Sequence, residues 1–314
     1  MFKEKVHING LNKNIFKDFL LLLIIMSKKF TISIAGCHQG QNKKGVEYGF
    51  TPFLSALHHV MSNDEYQKNV IDFRSDEYFT DPIYGSHILG NNIFTNTIKD
   101  STLITFGGDH TISYGTIIAA KKLYHNLKVI WIDAHPDINT PTSSLSGNCH
   151  GMPVSYLFGI SKDPRLEEVY IDPKDFAYIG VRCLDNFEKN LLEELKKKGL
   201  LVYTADDVIK NGIKNITKDI KKKWNLENKK YKFHVSLDVD SMDPVYIPST
   251  GTPVDNGISP SDVSYLLSWA NHNSINKMSN LDITEVNPLL SDIGGICKTY
   301  STINKILKRY LYIY

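Results

Sequence analysis

The sequence predicts an α/β chain with three layers, α/β/α, around a mostly parallel central sheet. Two observations predict it. Short apolar runs rich in Val and Ile recur along the chain, the composition of strands covered on both faces. Helically patterned stretches fall between them, and alternation of that kind builds a parallel sheet. Strands are expected over 31–35, 70–73, 102–106, 129–133, 177–181, 201–204, 234–239 and 281–286. Helical patterns include 114–124, 190–198 and 206–224. A further helix should begin at Pro260, because Ser259 is a capping residue and proline suits the first helical position. No internal repeat and no Pro- or Ser-rich linker divides the 314 residues, so 27–314 should form one domain.

Residues 1–26 read as an extension outside that domain. The apolar run FLLLLIIM at 19–26 falls far short of the roughly 20 residues needed to span a bilayer. No small-residue cleavage site follows it. A cytoplasmic location is therefore expected, with a targeting role for the segment left open. Lys+Arg number 36 and Asp+Glu 34, a net charge of +2, which lacks the basic excess of a nucleic-acid binder. A hydrophobic content of 42% argues against a disordered chain. No membrane partner is expected. Cys37, Cys149, Cys183 and Cys297 form no CxxC pair and read as reduced thiols.

Three segments concentrate chemistry, each at the C-terminal end of an expected strand, where open α/β sheets place ligands. The first is FGGDH at 106–110, whose two glycines allow a tight turn that presents His110. The second is VIWIDAHPD at 129–137. In an extended backbone Asp133, His135 and Asp137 would share one face. An Asp straight after a buried strand is costly unless paired or coordinated. The third is VSLDVDSMDP at 235–244, with Asp238 and Asp240 two apart at a strand end. Neighbouring carboxylates repel, so a proton or a cation should lie between them. Asp243, before Pro244, reads as a turn residue.

Pooled, these give two His and four Asp and no thiolate, a donor set that favours Mn²⁺, with Zn²⁺, Co²⁺ or Fe²⁺ as alternatives. Four carboxylates suit two ions with shared ligands, about 3.5–4 Å apart, which lower the pKa of a bridging water. Two further loops contribute. SGNCHGMP at 146–153 carries His150, which reads equally as a loop residue or a proton shuttle. LDITEVNP at 281–288 ends its strand with Glu285, a carboxylate suited to a cationic substrate.

Taken together and in order, GGDH, DAHPD and SLDVDSMDP resemble the three metal motifs of the ureohydrolase family, which comprises arginases, agmatinases and formimidoylglutamases. The resemblance covers the chain from about Phe30 to the C-terminal helix. The longer string DAHPDINTPTSSLSGNCHGMPVSYL resembles the arginases in particular. It implies an arginase-like fold, with 27–314 as a single catalytic domain. It also implies two Mn²⁺ per subunit. His110, Asp133, Asp137 and Asp238 would hold one ion. Asp133, His135, Asp238 and Asp240 would hold the other. The implied reaction is hydrolysis of L-arginine to L-ornithine and urea by a metal-bridging hydroxide, with Asp137 relaying a proton. Asn139 and Ser146 would contact the α-carboxylate, and Asp185 and Glu188 the α-amino group. Thr252 and Glu285 would line the guanidinium pocket, and His150 would transfer protons. The alternative is an agmatinase or another guanidino-acid ureohydrolase. A homotrimer, or a higher homo-oligomer, is implied as well. Two positions depart from the usual pattern: Thr111 follows GGDH where Ser is commoner, and Cys183 stands where some arginases carry an acid.

Overall fold

The structure is a computed structural model and describes residues 29–50 and 68–311; the extension expected at 1–26 lies outside the described residues. Eight strands form: β1 (Phe30–Ala35), β2 (Lys68–Phe73), β3 (Thr102–Phe106), β4 (Leu127–Ile132), β5 (Phe176–Val181), β6 (Leu201–Thr204), β7 (Lys232–Asp238) and β8 (Asn280–Thr284). They make one sheet in the order β2-β1-β3-β8-β7-β4-β5-β6, with every pairing parallel. The sheet is fully rather than mostly parallel among the described residues. Each expected strand coincides with one of these, two of them (102–106 and 201–204) without any shift and the others within two residues at each end.

The helices are α1 (Pro82–Asn96), α2 (Ile112–Leu123), α3 (Pro153–Leu157), α4 (Asn186–Lys197), α5 (Ala205–Asn211), α6 (Ile213–Lys223), α7 (Pro260–Asn273) and α8 (Ile293–Leu311). Strand periodicity divides the apolar side chains between two cores. In β4, Ile130 and Ile132 join the core under α5–α8, while Val129 and Trp131 join the core under α1–α4. Three layers result, as expected.

Two helices differ from expectation. The stretch 206–224 is not one helix: Gly212 adopts φ +77 and ends α5 before α6 begins. Helix α1 has no counterpart among the expected helical patterns. It starts at the cap Asp81 with Pro82 in its first turn, and it packs closely on α2. Gly90 and Gly115 permit that approach. A Cβ on Gly115 would lie 1.8 Å from the Ser86 carbonyl oxygen. Ser86 Oγ accepts the Gly115 amide at 2.8 Å and donates to the Ile112 carbonyl at 3.0 Å. Gly115→Ala is therefore expected to destabilise the fold by about 1–3 kcal/mol through overpacking. A thermal melt checks this, and an unchanged midpoint would contradict it.

Strands β3, β8, β7 and β4 are contiguous and central. Their C-terminal ends carry GGDH, TEV, DVD and DAHPD respectively, so the sheet order brings together segments far apart in sequence.

Candidate metal centre and substrate cleft

The turn after β3 needs its glycines. A Cβ on Gly108 would lie 1.8 Å from the Cys37 carbonyl oxygen, and the Gly108 carbonyl accepts the Glu285 amide at 2.8 Å. His110 then lies fully buried, its ring stacked on Trp131 at 3.9 Å. Its Nδ1 faces three carboxylate oxygens: Asp133 Oδ2 at 2.9 Å, Asp137 Oδ2 at 3.1 Å and Asp238 Oδ2 at 3.3 Å. The other ring nitrogen fixes the tautomer. Ser236 Oγ donates to Ser113 Oγ at 2.8 Å, so toward His110 Nε2, 2.9 Å away, it accepts. Nε2 then carries a ring proton, and Nδ1 meets three buried carboxylates, an arrangement that calls for a proton or a metal cation in their midst.

The second group lies beside the first. His135 Nδ1 is 3.5 Å from Asp133 Oδ1 and 3.3 Å from Asp240 Oδ2. Asp133 thus turns one oxygen toward each imidazole, the disposition of a shared ligand. His110, Asp133 and Asp137 form one set with metal-binding geometry, and Asp133, His135 and Asp240 form another. The electrostatics agree. Burial first, and then the charge of Asp133, push the Asp137 carboxyl up to about 7. Burial, Asp240 and Asp133 push Asp238 well above the usual carboxylate range. A divalent cation offsets that cost, and all-oxygen-and-imidazole ligation fits Mn²⁺.

The convergence does not arise from extended backbone, as the spacing suggested. The chain bends at Ala134 and His135, and Asp137 sits at φ +47, a region costly for a non-glycine residue. Asp238 caps a single 3₁₀ turn, Val239–Ser241, with Oδ1 accepting the Asp240 amide at 2.8 Å. Turns, not a strand face, bring these carboxylates together. Asp243 accepts the amides of Val245 and Gly257, a turn role.

Glu285 also has positive φ, +65, and is 1% exposed. Its Oε1 accepts from the His110 amide at 2.9 Å and lies 2.9 Å from His150 Nδ1, while Oε2 accepts from Gln41 Nε2 at 2.7 Å. Burial lowers the His150 pKa, but the charge and hydrogen bond of Glu285, with Asp137 and Asp109, together outweigh it and raise the net value to about 9. His150 is tied into the centre by this contact and is not a free loop residue.

A cleft of about 150 Å³ opens beside the cluster. It is lined by His135, Asp137, Asp238 and His150, and by Asn139, Ser146, Glu188 and Thr252. Thr252 Oγ1 also donates to Asp240 Oδ2 at 2.8 Å. Asn139 Nδ2 donates to Asp185 Oδ2 at 2.7 Å. Asp185 and Glu188 form a capping box at the start of α4, which fixes both carboxylates. Ser146 is exposed, with Oγ accepting the Asn148 amide. Sequence reasoning missed Gln41, Trp131, Ser113 and Ser236. Trp131 Nε1 donates to Asp133 Oδ2 at 2.9 Å and so orients the shared carboxylate.

Comparison with known proteins finds arginases among the chain's relatives. The model of the Arginase family matches residues 32–310. An arginase of Plasmodium berghei is 38% identical over 200 residues, 62% of this chain and 55% of that protein. The match thus spans little more than half of the Plasmodium protein. An arginase of Staphylococcus aureus is 32% identical over 289 residues, 84% of this chain and 92% of that protein. The crystal structure of Entamoeba histolytica arginase in complex with L-ornithine aligns with a TM-score of 0.77 at 31% identity, covering 91% of this chain and 99% of that one.

Proposed function

The chain belongs to the arginase family, and from that premise we propose that it is a binuclear manganese hydrolase converting L-arginine to L-ornithine and urea. The observation that carries the proposal is the pair of imidazoles sharing Asp133, set beside a cleft whose far residues suit an amino acid. In the proposed ligand sets, His110, Asp133, Asp137 and Asp238 hold one ion, and Asp133, His135, Asp238 and Asp240 hold the other. When bound, such a pair supplies a water ionised near neutral pH.

The remaining roles fall to side chains. Glu285 pairs with the guanidinium; three donors already fix its oxygens, so it needs no reorganisation as charge develops. Asp137 holds the proton released by the attacking water on Oδ1, the oxygen other than the one nearest His110, and passes it to the leaving amine. His150, engaged with Glu285 through Nδ1, exchanges protons with solvent through Nε2. Asn139 and Ser146 meet the α-carboxylate, and Asp185 and Glu188 the α-amino group.

The carboxylate contacts of Asn139 and Ser146 separate L-arginine from agmatine, which lacks that group. Urea release measured on both substrates with Mn²⁺ should favour L-arginine; a preference for agmatine would make the agmatinase reading correct instead. Asn139→Ala should lower kcat/KM for L-arginine by about 10–100-fold, the worth of a hydrogen bond to a charged group, and leave the rate on agmatine, which has no carboxylate to contact, nearly unchanged. Trp131→Phe keeps a ring against His110 but loses the indole donor. A loss of about 10–100-fold in manganese affinity is expected, read by titration of the metal-free protein, and unchanged affinity would contradict the orienting role.

A further inference from the structure

Strand β5 ends in an irregularity. Its register on β6 shifts between Ile179 and Val181, and Gly180 between them has φ +99. A bulge of this kind re-aims the side chains around it. Arg182 follows, and its side chain reaches past the end of β4 to the turn after β7. Nε donates to the Asp255 carbonyl at 3.1 Å. Nη1 donates to the carbonyls of Gly180 at 3.2 Å and Ser241 at 3.0 Å. Nη2 donates to those of Asp240 at 2.8 Å and Val254 at 2.6 Å. These bonds engage every N–H of the guanidinium, and each acceptor is a backbone carbonyl.

The carbonyls belong to one half of the candidate metal centre. Asp240 and Ser241 lie in the 3₁₀ turn capped by Asp238. Val254 and Asp255 follow Thr252, whose hydroxyl donates to Asp240 Oδ2 at 2.8 Å. The backbone amides of Arg182 and Cys183 both donate to the Ala134 carbonyl, at 2.9 and 3.0 Å, between Asp133 and His135. Position 182 therefore ties the backbone that carries His135 to the backbone that carries Asp240. His110 and Asp137 are held by other contacts. The His110 amide donates to Glu285, and the Asp137 carbonyl accepts the Val154 amide at 3.0 Å.

We propose that Arg182 is a positioning residue for the ion assigned to His135 and Asp240, acting through their backbone. The proposal rests on the binuclear reading above. A planar fork of five donors meets all these carbonyls at once; a lysine, with three donors on one nitrogen, cannot. Removing an outer hydrogen-bonding support of this kind costs about 10–100-fold in metal affinity.

The test is stepwise Mn²⁺ titration of the metal-free protein, with the free ion read by electron paramagnetic resonance. The wild-type chain should take up two ions; uptake of one or none would overturn the binuclear reading and this proposal with it. Arg182→Lys keeps the charge and the stem. It should weaken one ion about tenfold and leave the other nearly unchanged, and Arg182→Ala should weaken that same ion about 100-fold. In His135→Ala, which retains the other ion, adding Arg182→Lys should leave the remaining affinity unchanged. With two ions bound by the wild type, unchanged affinities in Arg182→Lys, equal weakening of both ions, or further weakening in the His135→Ala background would each overturn the positioning role alone.

Discussion

Asp238→Ala is expected to reduce urea release from L-arginine about a thousandfold or more and to lower bound manganese below one ion per chain. The size follows from position. Asp238 Oδ2 lies 3.3 Å from His110 Nδ1, and Oδ1 holds the turn that presents Asp240. One substitution therefore removes a proposed shared ligand and loosens a second. Several kcal/mol of charge stabilisation are lost with it, and each 1.4 kcal/mol is tenfold in rate. The fold should survive. Asp238 in the metal-free protein is a buried carboxyl pushed well above its usual range by burial and then by Asp240 and Asp133, so its removal relieves repulsion. A raised melting temperature without metal, with activity lost, distinguishes this outcome from simple unfolding. A variant that kept full activity and two ions would show that the ligand assignment is wrong.

Glu285→Gln should cut kcat/KM for L-arginine by about 100–1000-fold while manganese content stays unchanged, since a buried charged partner of the guanidinium is worth roughly 3–5 kcal/mol. The substitution is shape-preserving. The glutamine oxygen can still accept from the His110 amide and His150, and Gln41 needs only to turn its amide to accept from the new nitrogen. The loss should appear chiefly in kcat, as for an interaction strengthened in the transition state. Activity metered per bound manganese checks it. Loss of metal in parallel with activity would place Glu285 among the ligand supports instead of the substrate contacts.

The strands were legible because β-branched runs covered on both faces leave a clear signature, and they fixed which segments end at the same sheet edge. The candidate metal cluster was legible for a related reason: an Asp directly after a buried apolar strand is costly without a partner. The manner of their convergence was not legible. Spacing suggested an extended face, whereas bends at 134–135, positive φ at Asp137 and a 3₁₀ turn after Asp238 perform it. Helix α1 escaped notice because Gly85, Gly90 and several Asn blur its apolar face; contact with α2, not propensity, makes it helical. Gly212 split what periodicity joined, through one left-handed dihedral. Gln41 and Glu285 are bonded across 244 positions of sequence, and Trp131, Ser113 and Ser236 act through distances alone. No spacing rule finds such residues; only the folded sheet does.

Bound manganese counted per chain, by elemental analysis of the metal-free protein reloaded with Mn²⁺, addresses the shared-carboxylate centre most directly. Two ions per chain are expected, with urea release from L-arginine rising until the second is bound. A single ion at full activity, or activity without any, would contradict a binuclear site built on Asp133 and Asp238.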